Sequence, residues 1–183
     1  LKLQLAMLDQ KDLSKKMSKD IDEMEKMLND YLQFAKTQSL EVTSAINLKD
    51  LFDEIEKGIN TNNLKISCEE NIFINVRPLA IKRSLENVIQ NGLVYGKKVY
   101  VKAQKGNNRA IILIEDDGPG IPEEQYKNVL KPFFRLDKSR SLNKSGVGLG
   151  LAIVEDVINS HGGNIQMGKS SLNGLEVKIT LPY

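Results

Sequence analysis

The sequence contains a single cysteine and no tryptophan in 183 residues. One cysteine excludes a disulfide within the chain and fits a reducing compartment. No apolar run approaches the ~20 residues of a membrane-spanning helix, so this segment is not expected to contact a membrane. Its 26 basic and 24 acidic residues nearly cancel, which gives no electrostatic footprint for nucleic acid. The remaining class is an ordinary water-soluble domain.

The first part of the chain has the apolar spacing of a helix that packs against other helices. Apolar residues recur at intervals of three and four over 13–35, and the same spacing occurs over 1–8. A polar interruption at 9–12 predicts a turn between two helices. We therefore expect a helical-hairpin fragment over residues 1–42 and a second domain over 43–183.

Helix and strand patterns interleave in the second domain. The predicted elements are helices over 47–57, 78–94 and 147–160, a short helix opening at Pro122, and strands over 65–68, 71–75, 98–104, 109–115, 164–167 and 175–181. Asn47 is expected to cap the first helix and Gly58 to end it. The Gly106-Asn107-Asn108 connection predicts an antiparallel hairpin, which excludes an all-parallel sheet. The expected fold class is α+β, a two-layer sandwich of a mixed sheet with helices on one face.

Two asparagines on the predicted helix 78–94 are candidates for contacting phosphate and a metal ion. Asn87 and Asn91 are four residues apart, so they lie on one helix face, with Tyr95 next along it. A carboxamide oxygen is a fair Mg²⁺ ligand when phosphates supply the negative charge, and its NH₂ group can donate to phosphate. Surface helices often contain two asparagines by chance, so the pair alone is a weak signal.

An Asp-Gly-Pro-Gly turn follows the predicted strand 109–115. A carboxylate at the end of a rigid strand can accept a hydrogen bond from the exocyclic amine of adenine, which guanine does not offer at that position. This predicts Asp117 as the base-selecting residue, with Gly118 and Gly120 in the binding turn. Aspartate and glycine are also common turn residues, so this motif alone is weak.

A glycine-rich loop lies at 145–154. Glycines at alternate positions let the backbone approach phosphates without Cβ atoms, and a helix opening here would direct free N–H groups at an anion. A dinucleotide fingerprint would directly follow a strand, and a P-loop requires Gly-Lys-Ser/Thr, so neither alternative fits. The predicted phosphate loop consists of Gly146, Val147, Gly148, Leu149 and Gly150.

The polar stretch 132–146 shows no helical or strand period. It contains four basic residues against one acid, Asp137. The positive charge would offset that of a triphosphate, so we expect a mobile lid, although such loops are often only solvated. The basic residues are Arg135, Lys138, Arg140 and Lys144.

In order and spacing, these motifs resemble the N, G1, F and G2 boxes of sensor histidine kinases. The matching residues are Asn87-x-x-x-Asn91, Asp117-Gly118-Pro119-Gly120, Phe133-Phe134 and Gly146-x-Gly148-x-Gly150. Segments 77–83 and 115–121 resemble the EnvZ osmosensor kinases in particular. The resemblance implies a catalytic ATP-binding domain of Bergerat fold after a dimerisation and histidine-phosphotransfer hairpin.

The resemblance further implies ATP and Mg²⁺ as cofactors. Asn87 and Asn91 would handle Mg²⁺ and phosphate, Asp117 would bind the adenine amine, and the loop glycines would shape the lid. The γ-phosphate would pass to a histidine on an upstream helix absent from this sequence, and then to an OmpR-type response regulator. The implied setting is the cytoplasmic portion of a bacterial inner-membrane protein that forms homodimers through the hairpin.

Three alternatives stay open at this point. A Bergerat ATPase of the gyrase and chaperone group places a glutamate where Asn87 stands, and Glu86 is one residue off, a rotation of ~100° around the helix. An anti-sigma-type serine kinase is disfavoured by the bundle helix. A dimerisation or docking module that does not use ATP is supported by Val94, which replaces the family's usual basic residue. His161, the one histidine, is interpreted as a structural helix-end residue.

Overall fold

The structure is a computed structural model that describes residues 17–18, 21–22, 24–25, 41–136 and 148–183. The chain divides into two compact units, Leu1–Leu40 and Glu41–Tyr183. In the first unit the six described residues are helical, and they include Met17, Ile21 and Met24 of the predicted apolar series. The rest of the predicted hairpin lies outside the described residues.

The described part of the second unit interleaves strands and helices. In chain order these are β1 (Ser44–Asn47), α1 (Leu48–Ile59), β2 (Leu64–Cys68), β3 (Phe73–Val76), α2 (Pro78–Tyr95), β4 (Val99–Lys105), β5 (Arg109–Asp116), α3 (Gly150–Ser160), β6 (Asn164–Lys169) and β7 (Leu175–Pro182). After Pro122 the chain forms a 3-10 turn, Glu123–Gln125, in place of the predicted short helix. No helix in the described ranges combines the length and apolarity needed to cross a bilayer.

Five strands form one mixed sheet in the order β2-β4-β5-β7-β6. The β2–β4 pair is parallel and the other three pairs are antiparallel, including the predicted β4–β5 hairpin, in which Val101 is opposite Ile114. A separate antiparallel ribbon joins β1 to β3, with Ser44 opposite Val76. The predicted α+β class with a mixed sheet is confirmed. Strand β1, which pairs with β3, was not predicted.

The core lies between one face of the sheet and the helices. Alternate strand residues are buried, which is the period expected when only one face of a sheet is covered. The buried apolar strand residues include Val99, Val101, Ala103, Ala110, Ile112, Ile114, Val177, Ile179 and Leu181. The helices contribute Leu48, Phe52, Ile55, Ile81, Leu85, Ile89, Val154 and Ile158. The prediction of helices on one face is confirmed.

The helix boundaries follow local capping chemistry. The Asn47 side chain accepts a hydrogen bond from Lys49 N at 3.0 Å, as predicted. The prediction that Gly58 ends α1 is wrong, because the helix continues to Ile59 and Asn60 adopts the left-handed cap conformation at φ 45°. Asparagine tolerates that conformation because its short polar side chain can bond locally.

Helix α2 begins at Pro78, as predicted, and extends one residue beyond Val94. Helix α3 begins later than predicted, at Gly150, with Leu149 in the N-cap position. Val147, where that helix was expected to start, lies outside the described residues.

Candidate functional site

Helix α2 brings the two predicted asparagines together. Asn91 Nδ2 donates a hydrogen bond to Asn87 Oδ1 at 3.1 Å, and both side chains are half-buried. The bond uses one polar group of each amide. Asn87 Nδ2, a donor, and Asn91 Oδ1, an acceptor, are not bonded to any described residue. The pair therefore offers one donor and one acceptor side by side.

The start of α3 lies directly against this pair. A Cβ atom at Gly150 would be 2.6 Å from Asn87 Oδ1 and 2.9 Å from Asn87 Nδ2, so any side chain there would displace the Asn87 amide. No side chain caps α3, and its first internal hydrogen bond runs from Ile153 N to Leu149 O at 2.9 Å. The N–H groups ahead of that bond have no partner within the helix, and Gly150, the first residue of the helix, lies beside Asn87. This is an arrangement suited to an anion.

The predicted Phe-Phe segment contacts the end of the glycine loop. Phe133 N donates to Gly148 O at 2.9 Å, and a Cβ atom at Gly148 would lie 2.7 Å from Phe134 O. Gly148 has φ +76° and Phe133 has φ +64°, with the Phe133 side chain 63% exposed. Arg135 is also exposed. The other predicted loop and lid residues, Lys138, Arg140, Lys144, Gly146 and Val147, lie outside the described residues.

A buried carboxylate ends strand β5. Asp116 continues the inward-facing row of Ala110, Ile112 and Ile114 and is only 8% exposed. Its Oδ1 accepts hydrogen bonds from Gly118 N at 2.8 Å and from Leu175 N at 3.2 Å. No described residue is bonded to Oδ2, and no described buried side-chain polar atom lacks a partner, so Oδ2 keeps access to solvent. Asp116 thus presents one free oxygen.

Asp116 lies against the same helix as the asparagines. A Cβ atom at Gly92 would lie 3.3 Å from Asp116 Cβ and 3.7 Å from its Oδ2. The β6–β7 turn closes around the carboxylate, where a Cβ atom at Gly174 would lie 2.3 Å from Asp116 Oδ1. Burial raises the pKa of Asp116, the N–H groups of Gly118 and Leu175 oppose the rise, and the neighbouring charge of Asp117 adds to it.

The structure gives Asp117, the predicted base-selecting residue, contacts with the backbone that follows α2. Its Oδ1 atom accepts hydrogen bonds from Lys97 N at 2.6 Å and Lys98 N at 2.8 Å, directly after the C-terminal end of α2. These backbone N–H groups hold its pKa below the usual value. The period of two in a strand puts Asp116 in phase with the buried row and Asp117 out of phase. The alternation over 110–116 was the sequence signal that could have identified Asp116.

The turn glycines allow the backbone of this edge to pack closely. A Cβ atom at Gly118 would lie 3.1 Å from the Tyr95 carbonyl carbon and oxygen. Gly120 has φ +68° and packs near Gly174 O. The Tyr95 side chain itself is 56% exposed, so its contribution to this contact is its backbone.

Three contacts along α2 therefore join the predicted motifs. Asn87 meets Gly150, Gly92 meets Asp116, and Tyr95 meets Gly118. Asn87 and Gly92 are five positions apart on the helix, which corresponds to ~7.5 Å along the axis at 1.5 Å per residue. A buried carboxylate and a paired-carboxamide anion site are thus separated by the length of one to two helical turns.

The sequence matches one family model and is similar to sensor histidine kinases. Residues 76–183 match the family model described as "Histidine kinase-, DNA gyrase B-, and HSP90-like ATPase". The sensor histidine kinase GtrS of Pseudomonas aeruginosa is 29% identical over 184 residues, 100% of this chain and 38% of that protein. The sensor histidine kinase CpxA of Escherichia coli K12 is 30% identical over 174 residues, 87% of this chain and 37% of that protein. The chain spans less than two fifths of the length of either relative.

Solved structures show the same fold. The histidine kinase domain of the E. coli osmosensor EnvZ is 33% identical, with a TM-score of 0.61 over 79% of this chain and 91% of that domain. The mycobacterial sensor histidine kinase MprB shares the fold at 24% identity, with a TM-score of 0.67 over 77% of this chain and 97% of that chain.

Proposed function

The chain belongs to the family of histidine kinase-, DNA gyrase B- and HSP90-like ATPases, and from this premise we propose that it is the catalytic part of a sensor histidine kinase. The family resemblance predicted from the four motifs is confirmed, and ATP is the nucleotide of this family. The proposed reaction is transfer of the γ-phosphate of ATP to a histidine. It is supported by sensor histidine kinases among the relatives.

The buried Asp116 carboxylate is the observation that carries the proposal. Its Oδ1 is held by two backbone N–H groups, and its Oδ2 is left to accept a hydrogen bond from the exocyclic amine of adenine. Guanine has a carbonyl oxygen at that position, which would face the carboxylate and leave both acceptors unpaired. Asp116 thus takes the role first predicted for Asp117, and the turn of Gly118 and Gly120 closes beside it.

In this proposal the phosphates of ATP bind beside α2 and the start of α3. The Asn87 amide and the N–H groups at the start of α3 would donate to phosphate oxygens. The glycine loop residues predicted from sequence, with the basic residues Arg135, Lys138 and Arg140, would enclose the phosphates and offset their charge. Phe133 would anchor that loop through its bond to Gly148.

The residues present fit Mg²⁺ only together with phosphate. Asn91 Oδ1 is an unbonded oxygen of the kind that Mg²⁺ binds, with Asn87 beside it. Among the described residues, no group of three or more His, Cys, Asp or Glu side chains could hold a metal ion. When bound, Mg²⁺ would neutralise phosphate charge and orient the γ-phosphate for transfer.

The residues at positions 86 and 87 distinguish the proposed kinase from the ATP-hydrolysing members of the family, which have a glutamate where Asn87 stands. Glu86 precedes Asn87 and is rotated ~100° from it around the helix, so it would not activate a water on the phosphate side. Glu86 lies four residues after Lys82, on the same face of α2. The Glu54 hydrogen bond is the main cause of the raised pKa of Lys82, and the charge of Glu86 adds to it. We therefore expect ATP to be held and not rapidly hydrolysed.

His161 is not the proposed phosphoacceptor. Its Nδ1 is 2.7 Å from Val157 O, and its Nε2 accepts hydrogen bonds from Arg77 N at 3.0 Å and Arg77 Nε at 3.2 Å. A histidine with both ring nitrogens engaged has no lone pair to offer a phosphoryl group. The acceptor would lie on an upstream helix, in the hairpin whose second helix is predicted over 13–35.

The proposed setting follows from the same family. The hairpin over residues 1–42 would form a homodimer in the full-length protein, and the phosphoryl group would pass from histidine to an OmpR-type response regulator. The domain would lie on the cytoplasmic side of a bacterial inner membrane.

Calorimetric titration with Mg-ATP and Mg-GTP, followed by a phosphorylation assay on a chain extended upstream through the histidine helix, tests the proposal. We expect ATP to bind at least about tenfold more tightly than GTP, because the wrong base leaves a buried acceptor unpaired. Labelled ATP should give acid-labile phosphate only on the extended chain. Rapid multiple-turnover hydrolysis would favour a gyrase-type ATPase, and no nucleotide binding would favour a docking module.

A further inference from the structure

The second carboxylate at the end of β5 has a contact of its own beside the site. We propose that Asp117 is a positioning residue, which fixes the turn that holds Asp116 to the end of α2 without touching the nucleotide. This inference rests on the proposed ATP site and adds a residue to it.

The Asp117 carboxylate closes the open end of the β4–β5 ladder. The regular pairing ends where Val99 is opposite Asp116. Beyond it, Asp117 Oδ1 accepts from the N–H groups of Lys97 and Lys98, and Asp117 N donates to Lys98 O at 3.3 Å. These two lysines are the only residues between the Gly96 cap of α2 and the first residue of β4. The Asp117 side chain thereby connects the turn after β5 to the residues that follow the C-terminal end of α2.

Glycines on both sides make this junction tight. A Cβ atom at Gly96 would lie 2.7 Å from Asp117 Oδ1, and one at Gly118 would lie 3.1 Å from the Tyr95 carbonyl. The backbone at Gly96 therefore packs directly against the Asp117 carboxylate, and the backbone at Gly118 packs directly against that of Tyr95. A change in the position of Asp117 moves the next residue, Gly118, whose N–H group donates to Asp116 Oδ1. The contact is thus transmitted to the base-facing carboxylate through one peptide bond.

The chain offers a matched control on the same strand. Glu69 Oε2 accepts a hydrogen bond from Lys105 N at 2.8 Å, at the opposite end of β4. Glu69→Ala and Asp117→Ala each remove an exposed carboxylate that bonds to the backbone at one end of β4. They differ in that only Asp117 adjoins Asp116 and α2.

The experiment measures the Kd of Mg-ATP by calorimetry for wild type, Asp117→Ala, Asp117→Asn and Glu69→Ala. We expect about tenfold weaker binding for Asp117→Ala and less than about twofold for Glu69→Ala. Asp117→Asn keeps an oxygen acceptor at Oδ1 and should bind within about threefold of wild type. Rescue by the amide would show that the acceptor, and not the charge, is what matters.

Amide exchange measured by NMR gives a second readout in the unliganded protein. In Asp117→Ala the Gly118 amide should exchange faster, although its acceptor Asp116 is unchanged. The positioning role would be overturned if the Gly118 amide of Asp117→Ala exchanged as slowly as that of wild type. Equal loss of affinity in Asp117→Ala and Glu69→Ala would overturn it as well. If wild type binds ATP and Asp117→Ala binds equally well, this inference fails alone. If wild type binds no ATP, the proposed function fails and this inference fails with it.

Discussion

At the scale of single residues, the candidate site depends on Asp116, a carboxylate that is buried where its charge is disfavoured. Burial of Asp116 disfavours its charge, and two backbone N–H groups only partly compensate, which is why its pKa is raised. A protein optimised for stability alone would place an apolar residue in this row beside Ile114. Under the proposed function, the retained charge is explained by a hydrogen bond that it accepts from the adenine amine.

Asp116→Asn should lower ATP affinity without lowering stability. The loss of a hydrogen bond to a charged acceptor should weaken binding about 10- to 100-fold. The free energy of unfolding at neutral pH should stay the same or rise, since a disfavoured buried charge is removed. In wild type, the raised pKa means that the penalty of the buried charge is relieved, and stability rises, as pH falls through the folded pKa toward the usual value of 3.8, and the variant lacks this gain. Calorimetry and urea unfolding measure the two effects. A larger affinity loss in Asp117→Asn would instead favour the original assignment to Asp117.

Gly150→Ala should displace Asn87. The added Cβ atom would lie 2.6 Å from Asn87 Oδ1, so the amide must move away from its place beside the start of α3. We expect ATP affinity to fall about tenfold, comparable to the loss of one or two hydrogen bonds. Gly58→Ala is the control, because it lies in α1 with no atom within 4 Å of the new methyl group. It should stabilise the fold by up to ~1 kcal/mol and leave binding unchanged. Equal binding by both variants would contradict the contact.

His161 should make stability depend on pH. Burial, and then the Arg77 charge, lower its pKa from the usual 6.5, although the Val157 carbonyl and Glu41 favour the charged form. Since the folded pKa is depressed, the contribution of His161 is fully present above pH ~6.5 and is lost as pH falls through the folded value. Urea unfolding of wild type and His161→Gln between pH 8 and 5 measures this. The stability difference between them should shrink toward acid pH, and a constant difference would contradict the neutral ring.

At the scale of elements, α2 organises the whole site. Its N-terminal N–H groups are satisfied from distant segments, because Arg77 in the N-cap position provides no side-chain cap and the first turn has no acidic residue. The Glu41 carboxylate accepts from Leu79 N and from Ala80 N at 3.1 Å, and His161 accepts from Arg77 N. The helix that holds both asparagines is therefore fixed at its start by residues 38 and more positions away in sequence.

Glu41→Ala should destabilise the second unit by about 1 kcal/mol, the usual cost of losing a helix N-cap. Glu54→Ala is the matched control. Glu54, in α1, also contacts α2, through an ion pair with Lys82 at 2.9 Å, but its side chain lies at the surface. An exposed ion pair of this kind contributes ~0.2–1 kcal/mol or nothing measurable. Denaturant midpoints give both values. A larger loss in Glu54→Ala would show that Glu41 does not cap the helix.

Element boundaries were predictable to the extent that they depend on local chemistry. Pro78 set the start of α2 and Asn47 the cap of α1, because each acts on adjacent backbone groups. The end of α1 was missed because two candidates, Gly58 and Asn60, lie two residues apart, and only the structure shows which adopts the left-handed conformation. The Glu41 cap has no sequence signal, since it joins residues far apart in the chain.

At the scale of the whole molecule, the sequence predicted the fold class and the family, while the site's geometry depended on non-local contacts. The β4–β5 hairpin and the helical periods are local patterns, and they were sufficient to exclude a parallel sheet. The meeting of Gly92 with Asp116 and of Gly150 with Asn87 joins separate segments, and nothing in either segment alone specifies it. The choice between Asp116 and Asp117 was within reach through strand alternation.

The most direct test of the central claim is a structure of this chain with Mg²⁺ and a non-hydrolysable ATP analogue. The account predicts the adenine amine within hydrogen-bond distance, about 3 Å, of Asp116 Oδ2, with the phosphates beside Asn87, Asn91 and the start of α3. Asp117 should still be bonded to the N–H groups of Lys97 and Lys98. An adenine amine bonded to Asp117, or a nucleotide bound away from α2, would contradict it.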